Sequence, residues 1–378
     1  IVMLLLYYVI IVIIILTILI AYFKLKYPFW SKQPVFHFHN LRYWLFPPGI
    51  IQHSKPEKNK FYNKNIYFDS FFNTPIKKRE LFAQFIKAHY LPNKSEKYMP
   101  SKKDVLNYFK AHNNKSYLSM MYDKNSLKLI GTMTTRPLDC YISDKKIRVG
   151  YVDFLCVHQK YRRKGIAPKV IYSHYVNCRE KSDDIVFLFK REGDITLIVP
   201  LTSYNNYMFD IFYWDKIVKF DEPNIRTILI TEQSFHYFIY VYERLMKAKY
   251  DCMILPNINH IKLLVKDSQI FIGVTLLDNE AYDCFVFRNT HTTYNGDKSI
   301  ECIASYKETD ESVFVLGFMC CMSLIYEKIK FNKLFIENIS DNNIILKKVM
   351  KRYQPISKSS TSYYFYNFGY RPFSSNNV

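Results

Sequence analysis

The chain has 378 residues, 49% apolar and 17% aromatic, with 53 Lys and Arg against 33 Asp and Glu for a net charge of +20. These values exclude a disordered polymer and predict a sizeable core, in two domains of common size or one large duplicated one. The charge suits an anionic membrane face or a polyphosphate ligand; nucleic acid is set aside because no matching motif or aromatic and basic stripe accompanies it.

Residues 1–23 carry no charge and are nearly all Ile, Leu, Val and Tyr. As a helix they rise about 35 Å, enough to cross a bilayer core. Lys24 and Lys26 follow with nothing basic in front, which predicts a single-pass anchor with the rest of the chain cytosolic. A cleaved signal peptide is the rival reading; the apolar run is too long and no small-residue cleavage site follows it. Because position 1 is Ile, further residues are expected before it.

Residues 24–65 read as an extended arm, aromatic and Pro-punctuated at first and then polar. Residues 77–89 predict a helix with Leu81, Phe85 and Ala88 on one face, and residues 101–112 a second helix with Ser101 as N-cap. Paired strands are expected at 116–121 and 127–134, a strand at 148–157, a helix at 164–179 and a short strand at 184–189. The order returns downstream, with strands at 284–288 and 300–306, a helix at 313–330, a strand at 333–337, a helix at 343–351 and a strand at 363–368. This predicts a duplicated α/β (α+β) unit with mixed twisted sheets, divided as anchor 1–23, arm 24–65, first half 66–215 and second half 216–378. Eight Cys, none in C-x-x-C spacing or close to a His pair, read as buried thiols of a reducing compartment and not as disulfides or a zinc site. The abundance of Lys, Asn, Ile and Tyr suits an AT-rich genome, a parasite's or a large DNA virus's, so part of the charge is compositional.

The most informative stretch runs from Tyr151 to Ile171, where a buried strand hands over to an apolar-faced helix. Arg162, Arg163, Lys164, Gly165, Ile166 and Ala167 sit at the junction. A helix start exposes unpaired N–H groups and a positive dipole end, a seat for phosphate, and Gly165 lets the backbone approach closely. Read alone, the same residues serve equally as a solvated cap and a turn glycine.

Three stretches carry a resemblance to a known family. R-x-x-G-x-A from Arg162 to Ala167 resembles the pyrophosphate signature of the acetyltransferase-like (GNAT) superfamily, and Tyr151-Val152-Asp153-Phe154-Leu155-Cys156-Val157-His158-Gln159 resembles the N-myristoyltransferase signature E-[IV]-N-F-L-C-x-H-K. Upstream, Tyr27-Pro28-Phe29-Trp30-Ser31-Lys32-Gln33-Pro34-Val35 is similar to that family's Y-x-F-W-x-T-Q-P-V arm; near the end, Tyr363-Tyr364-Phe365-Tyr366-Asn367 is similar to its Y-Y-L-Y-N strand. The resemblance implies two acetyltransferase-like halves about a pseudo-twofold axis, the first holding acyl-CoA and the second much of the peptide site.

It further implies that the N–H groups of Phe154 and Leu155, freed at a strand bulge, form an oxyanion hole, commonly worth about 3 kcal/mol. Arg162, Arg163, Lys164 and the backbone of Gly165, Ile166 and Ala167 would hold the CoA phosphates, with Pro168 opening the helix and Cys156 and Val157 alongside. Tyr27, Phe29 and Trp30 would meet the nucleotide end, and Tyr90, Tyr364 and Asn367 the peptide. The implied base is the main-chain carboxylate of the last residue, here Val378. Myristoyl-CoA is the implied co-substrate and the N-terminal glycine of a protein the acceptor, with no metal, no covalent intermediate and a monomeric enzyme; His158 reads as structural.

Three departures matter. Where the family carries K-F-G-x-G-D-G, this chain reads Tyr353-Gln354-Pro355-Ile356-Ser357-Lys358-Ser359; its acidic loop aligns with His89-Tyr90-Leu91-Pro92-Asn93-Lys94; and the tail after Asn367 is shorter. The first two predict altered peptide choice, since a basic peptide would meet positive charge; the third leaves open whether Val378 reaches the reaction centre. An active enzyme with reset specificity, an acyl-CoA enzyme with another amine acceptor, and an acyl-CoA-binding membrane scaffold without turnover all remain compatible with the sequence.

Overall fold

The computed structural model describes residues 2–91, 95–112, 115–142, 145–182, 185–193, 197–215, 218–246 and 250–378. Helix α1 (Val2–Lys26) stands out from the body, most of its described apolar side chains exposed until Phe23, which is buried against Tyr27 and His37. The arm that follows is less extended than expected. A 3₁₀ turn (Trp30–Lys32), helix α2 (Arg42–Leu45) and strand β1 (Gly49–Ile50) punctuate it.

Along the chain come β2 (Tyr67–Ser70), α3 (Ile76–His89), β3 (Glu96–Tyr98), α4 (Lys102–Lys110), β4 (Tyr117–Tyr122), β5 (Leu129–Ile142), β6 (Lys145–Val152), β7 (Cys156–Val157), α5 (Ile166–Lys181), β8 (Val186–Glu192) and β9 (Thr202–Asp210). Then follow β10 (Ile225–Leu229), α6 (Phe235–Leu245), β11 (Cys252–Leu255), α7 (Ile258–Lys266), β12 (Ile270–Leu277), β13 (Glu280–Tyr294), β14 (Asp297–Tyr306), α8 (Glu311–Lys328), β15 (Lys333–Glu337), α9 (Asn342–Arg352), β16 (Ser357–Tyr366) and β17 (Phe368–Gly369). Ser101 caps α4 as expected: its hydroxyl accepts from Asp104 N–H at 3.2 Å while the Asp104 carboxylate accepts from Ser101 N–H at 2.7 Å.

The face expected for α3 is corrected. Leu81 and Ala88 are exposed, and the inward stripe is Phe82, Ala83, Phe85 and Ile86. Both spacings are helical, so packing decides: Phe82 and Ile86 are fully buried among Phe71, Phe109 and Phe154, each contributing about 2 kcal/mol over exposure.

One sheet runs β10, β12, β13, β14, β15, β9, β16, β8, β6, β5, β4, β2, with β3 on β13 and both β7 and β11 on β5. Among the described strands, β6 with β8 and β14 with β15 are the parallel neighbours. A parallel pair needs a long crossover, and α5 and α8 supply it. The runs β4, β5, β6, α5, β8 and β12, β13, β14, α8, β15 are therefore equivalent, the duplicated α/β architecture that the element order predicted. Each run is closed by the other's strand: β16, from the end of the chain, lies on β8, while β9 lies on β15, and β9 and β16 pair with each other. Beneath the second half, Phe285, Phe287, Phe314 and Phe318 form the core; beneath the first, Tyr172, Tyr175 and Val176 of α5 pack on Phe187 and Tyr366.

Candidate active site

The site begins with a miscount between two strands. Thr135 of β5 faces Val152 and Thr132 faces Cys156, so Met133 and Thr134 oppose the three residues Asp153, Phe154 and Leu155. The extra residue makes a bulge that separates β6 from β7. Asp153 N–H reaches the Thr134 carbonyl at 3.2 Å, and Phe154 N–H donates to the Thr134 hydroxyl at 3.1 Å. Among the described residues, none accepts from Leu155 N–H. The bulge is held from below by the Phe154 ring, packed on Phe82, Tyr90, Tyr108 and Phe109, and from the side by Asp153, whose carboxylate accepts from Arg136 Nε at 2.8 Å. Burial raises the Asp153 carboxyl, with Arg136 working against it. The thiol of Cys156, buried beside the bulge, is pushed up to about 12, which removes it as a nucleophile.

At this bulge the sheet opens. Strands β6 and β8 share register at Val149, Gly150 and Tyr151 only; beyond it β6 enters the bulge while β8 continues against β16. The floor of the opening is the turn before α5. His158 steadies it by accepting Lys160 N–H at 3.2 Å, a structural role. Arg163 (φ 61°) and Gly165 (φ 71°) are both left-handed, and Gly165 is the N-cap of α5 without a side-chain cap. The first N–H groups of α5 are thereby left for a ligand. A cavity of about 330 Å³ lies against them, lined by Val157, Tyr161, Arg162, Arg163, Gly165, Ile166, Ala167 and Pro168. Lys164 is outside this lining, its ammonium 5.3 Å from the Tyr161 ring centre. Arg162 braces the turn, donating to the His89 carbonyl at 2.6 Å and the Val157 carbonyl at 3.3 Å, and remains exposed. Pro168 falls in the first turn of α5, where its missing N–H costs nothing.

The arm closes the other side. Phe29 is buried, and Trp30 stacks on Phe189 of β8 (5.6 Å, 19°), which stacks on Tyr364 of β16 (5.3 Å, 17°). Gln33 is the pin: its amide donates to the Phe29 carbonyl at 3.0 Å and accepts from Tyr366 hydroxyl at 2.6 Å, while Asn367 N–H reaches the Pro34 carbonyl at 2.6 Å. The two sequence stretches most distant along the chain thus dock on each other beside the bulge. Tyr27 packs on Phe23, at the base of α1. Tyr90 lies over Phe154 (5.7 Å) and Tyr98 (5.3 Å).

Asn367 is wholly buried at φ 66°, its amide accepting from Gln52 N–H at 2.7 Å and donating to the Gln52 and Ile185 carbonyls, both at 3.0 Å. It clamps three segments of main chain. The Val378 side chain packs on the cluster that contains Leu138, Val149 and Leu188, against which Tyr151 and Tyr363 also pack, and the preceding Asn377 is tied to Asp251 by bonds of 2.9 and 3.0 Å. Of the loop aligned with the family's acidic run, Pro92, Asn93 and Lys94 lie outside the described residues. Where the family signature would make a Gly, Asp, Gly turn, residues 357–362 form the first part of β16, paired with β9. All eight Cys are free thiols and buried, and among the described residues no three His, Cys, Asp or Glu gather to hold a metal.

Two groups of polar residues escaped the sequence reading. Thr134 and Arg136 hold the bulge from β5. Further along the sheet, Arg288 pairs with Glu301 and Lys190 with Glu337, joined by Tyr204 hydroxyl to Glu337 at 2.6 Å and Asn206 to Glu301 at 2.9 Å. Burial raises the Glu337 carboxyl despite Lys190, and at Lys190 burial is overcome by the two carboxylates, which hold its ammonium charged. Their signal was a charge set against an apolar run, alone in FVFRN, IECIA and LFIEN and as the first of two in FLFKR.

Residues 52–185 match the family model Myristoyl-CoA:protein N-myristoyltransferase, N-terminal domain. That stretch belongs to this domain family. It holds α3, the bulge, the cavity and all of α5, so every residue lining the cavity lies within the N-myristoyltransferase match. Among solved structures, the chain is similar to Saccharomyces cerevisiae N-myristoyltransferase with bound myristoyl-CoA (14% identity, 92% of this chain and 94% of that one, TM-score 0.72). It is also similar to the same yeast protein with bound myristoyl-CoA and inhibitors (14% identity, 96% of each chain, TM-score 0.71). The N-myristoyltransferase fold therefore extends over both halves, the arm and β16. A sequence comparison with curated proteins finds no match.

Proposed function

We propose that the chain is a glycylpeptide N-tetradecanoyltransferase, moving a myristoyl group from CoA to the N-terminal glycine amine of a protein. The observation that carries this reading is the unengaged N–H of Leu155, set at a sheet opening whose floor is the cavity at the start of α5. The residues fit the substrate: exposed N–H groups of α5, Arg162 and Arg163 suit a diphosphate, and the parted strands suit a thioester and its chain.

In this reading the glycine nitrogen attacks the thioester carbonyl carbon. The thioester oxygen is held on binding by Leu155 N–H and by Phe154 N–H, which leaves the Thr134 hydroxyl for it, and the same two donors meet the charge that develops. The C–S bond then breaks, the amide remains on the peptide, and CoA departs as a thiolate. The amine, with an ordinary pKa near 8, must give up a proton. The proposed base is the carboxylate of Val378, a residue that packs against the same apolar cluster as Tyr151 does; the proton is finally taken by the CoA sulfur. Tyr27, Phe29 and Trp30 are assigned to the nucleotide side, Tyr90 and Tyr364 to the peptide side, and Asn367 to holding the arm. With Lys358 near the position of the family's acid, peptides rich in Lys after the glycine are poor acceptors.

The α1 helix, long and apolar enough over Leu6–Lys26 to cross a membrane, is proposed to do so, with Lys24 and Lys26 keeping the body on the cytosolic side and each copy acting alone. Full-length protein in detergent, given myristoyl-CoA with a Gly-terminated peptide or a blocked peptide carrying Lys, tests the reaction by intact-mass spectrometry. Acylation of the free-amine Gly peptide alone is expected. Modification of the Lys peptide would assign another acceptor, and tight binding without thiol release would leave a scaffold in place of an enzyme.

A further inference from the structure

The arm carries a surface that the acyl-transfer reading does not use. In α2 and the residue on either side, Tyr43 points inward, buried against Phe36 and so close to Gly369 that a Cβ there would lie 2.5 Å from its ring. The outward side chains are apolar and exposed: Leu41 is 66% exposed, Leu45 74% and Phe46 63%, with Trp44 40% exposed and its ring on Phe36 at 5.1 Å. The Trp44 indole N–H donates to the Phe38 carbonyl at 2.9 Å, so the ring is fixed and not a loose surface residue. Four large apolar side chains held outward in six residues need a partner.

Its position says which partner. Phe23, in the last turns of α1, touches His37 (5.5 Å), His37 stacks on His39 (5.4 Å), and Leu41 N–H bonds the His39 carbonyl at 3.1 Å. The exposed residues therefore stand beside the end of α1, where Lys24 and Lys26 mark the exit from the apolar run. Charge agrees: from residue 1 to 56 there is no Asp or Glu, while Lys24, Lys26, Lys32, Arg42 and Lys55 are all basic. Apolar and Trp side chains ringed by Lys and Arg, with no acid, match the headgroup layer of an anionic leaflet.

We propose that Leu41, Trp44, Leu45 and Phe46 form a wedge that dips into the cytosolic leaflet beside α1. Arg42 and the flanking lysines meet anionic headgroups, and the bilayer becomes a second, shallow attachment for the arm. Because Trp30 of the same arm stacks on β8 at the sheet opening, the lipid-bound segment is continuous with one wall of the acyl-CoA site. The inference rests on α1 spanning the membrane, and the test separates the two.

All eight native Cys are buried, so a single surface thiol can be labelled selectively. Ile15→Cys (51% exposed, in α1), Leu45→Cys and Ile356→Cys (53% exposed) are each labelled with an environment-sensitive fluorophore in the full chain. Ile356 is a control: the ten-residue strand β16 puts about 30 Å between it and Asn367, which touches the arm. The proteins are reconstituted into phosphatidylcholine vesicles containing phosphatidylserine and nitroxide-bearing lipid. Quenching at 15 and at 45, a blue shift at 45 and water-like emission at 356 are expected. Quenching at 15 with emission at 45 as water-like as at 356 overturns the wedge and leaves the span standing. No quenching at 15 overturns the span and the wedge with it. A blue shift at 45 that grows with protein concentration in lipid-free detergent assigns the surface to a second copy and also overturns the proposal.

Discussion

The bulge offers a test that separates its two N–H groups. Thr134 is fully buried, and its hydroxyl is the partner of Phe154 N–H. Thr134→Val keeps the shape and removes the acceptor, leaving a buried N–H unpaired at a cost of about 1–3 kcal/mol. The ligand-free variant should therefore lose roughly 2 kcal/mol of stability by urea unfolding. A thioester carbonyl placed at the bulge supplies the missing acceptor, so the loss is recovered on binding. Two kcal/mol recovered is about thirty-fold tighter binding of myristoyl-CoA. CoA itself has no acyl carbonyl and should bind variant and wild type alike.

In turnover the same contact is present in ground state and transition state, so KM falls while kcat stays near wild type. Isothermal titration with myristoyl-CoA and with CoA, run beside the urea curves, reads all three quantities. If stability falls but both ligands bind the variant as they bind wild type, Phe154 N–H does not face the thioester and the oxyanion assignment contracts to Leu155. If stability is unchanged, the hydrogen bond to Thr134 carries no weight and the reasoning fails at its first step.

Gly165→Ala meets no atom within 4 Å but must hold φ 71°, so it should cost about 1–2 kcal/mol in strain and fold normally. Its thermal midpoint should drop by a few degrees and its CoA affinity by about tenfold, read by thermal shift with and without CoA. Asn367→Ala removes three buried hydrogen bonds and should cost about 3 kcal/mol, with the arm becoming cleavable by protease well before the sheet. Burial, with Arg136 nearby, holds His112 down at about 4 and His260 at about 2. Both are neutral in the folded state and protonate near 6.5 when unfolded, so their contribution is complete above 6.5 and is lost as pH falls from there, toward 4 for His112 and toward 2 for His260. The loss is up to about 1.4 kcal/mol per pH unit for each ring; urea midpoints at pH 7, 6 and 5 should fall less steeply in His112→Phe.

What the sequence made legible here is local, and what it hid is register. The strand-to-helix junction, the capped α4, the α8 crossover and β15 could be read because each announces itself within a dozen residues, by a cap, a glycine or an apolar period. Strand β9, TSYNNYMFD, and helix α6, FHYFIYVYERL, went unread: the first is too polar for a central strand, and the second is aromatic and β-branched enough to pass for one. Both are decided by long-range packing, β9 because it crosses to close the second half, α6 because it lies against β12 and β13. The site divides the same way. R-x-x-G-x-A locates the cavity at the start of α5, since its chemistry is the chemistry of one turn. The unengaged N–H of Leu155 exists because two residues of β5 face three beyond β6, a count taken across two strands that no motif contains. Restoring equal numbers by deleting Leu155 would pull β7 into continuous register with β5, and acyl transfer should vanish while the strand pair itself gains a ladder bond.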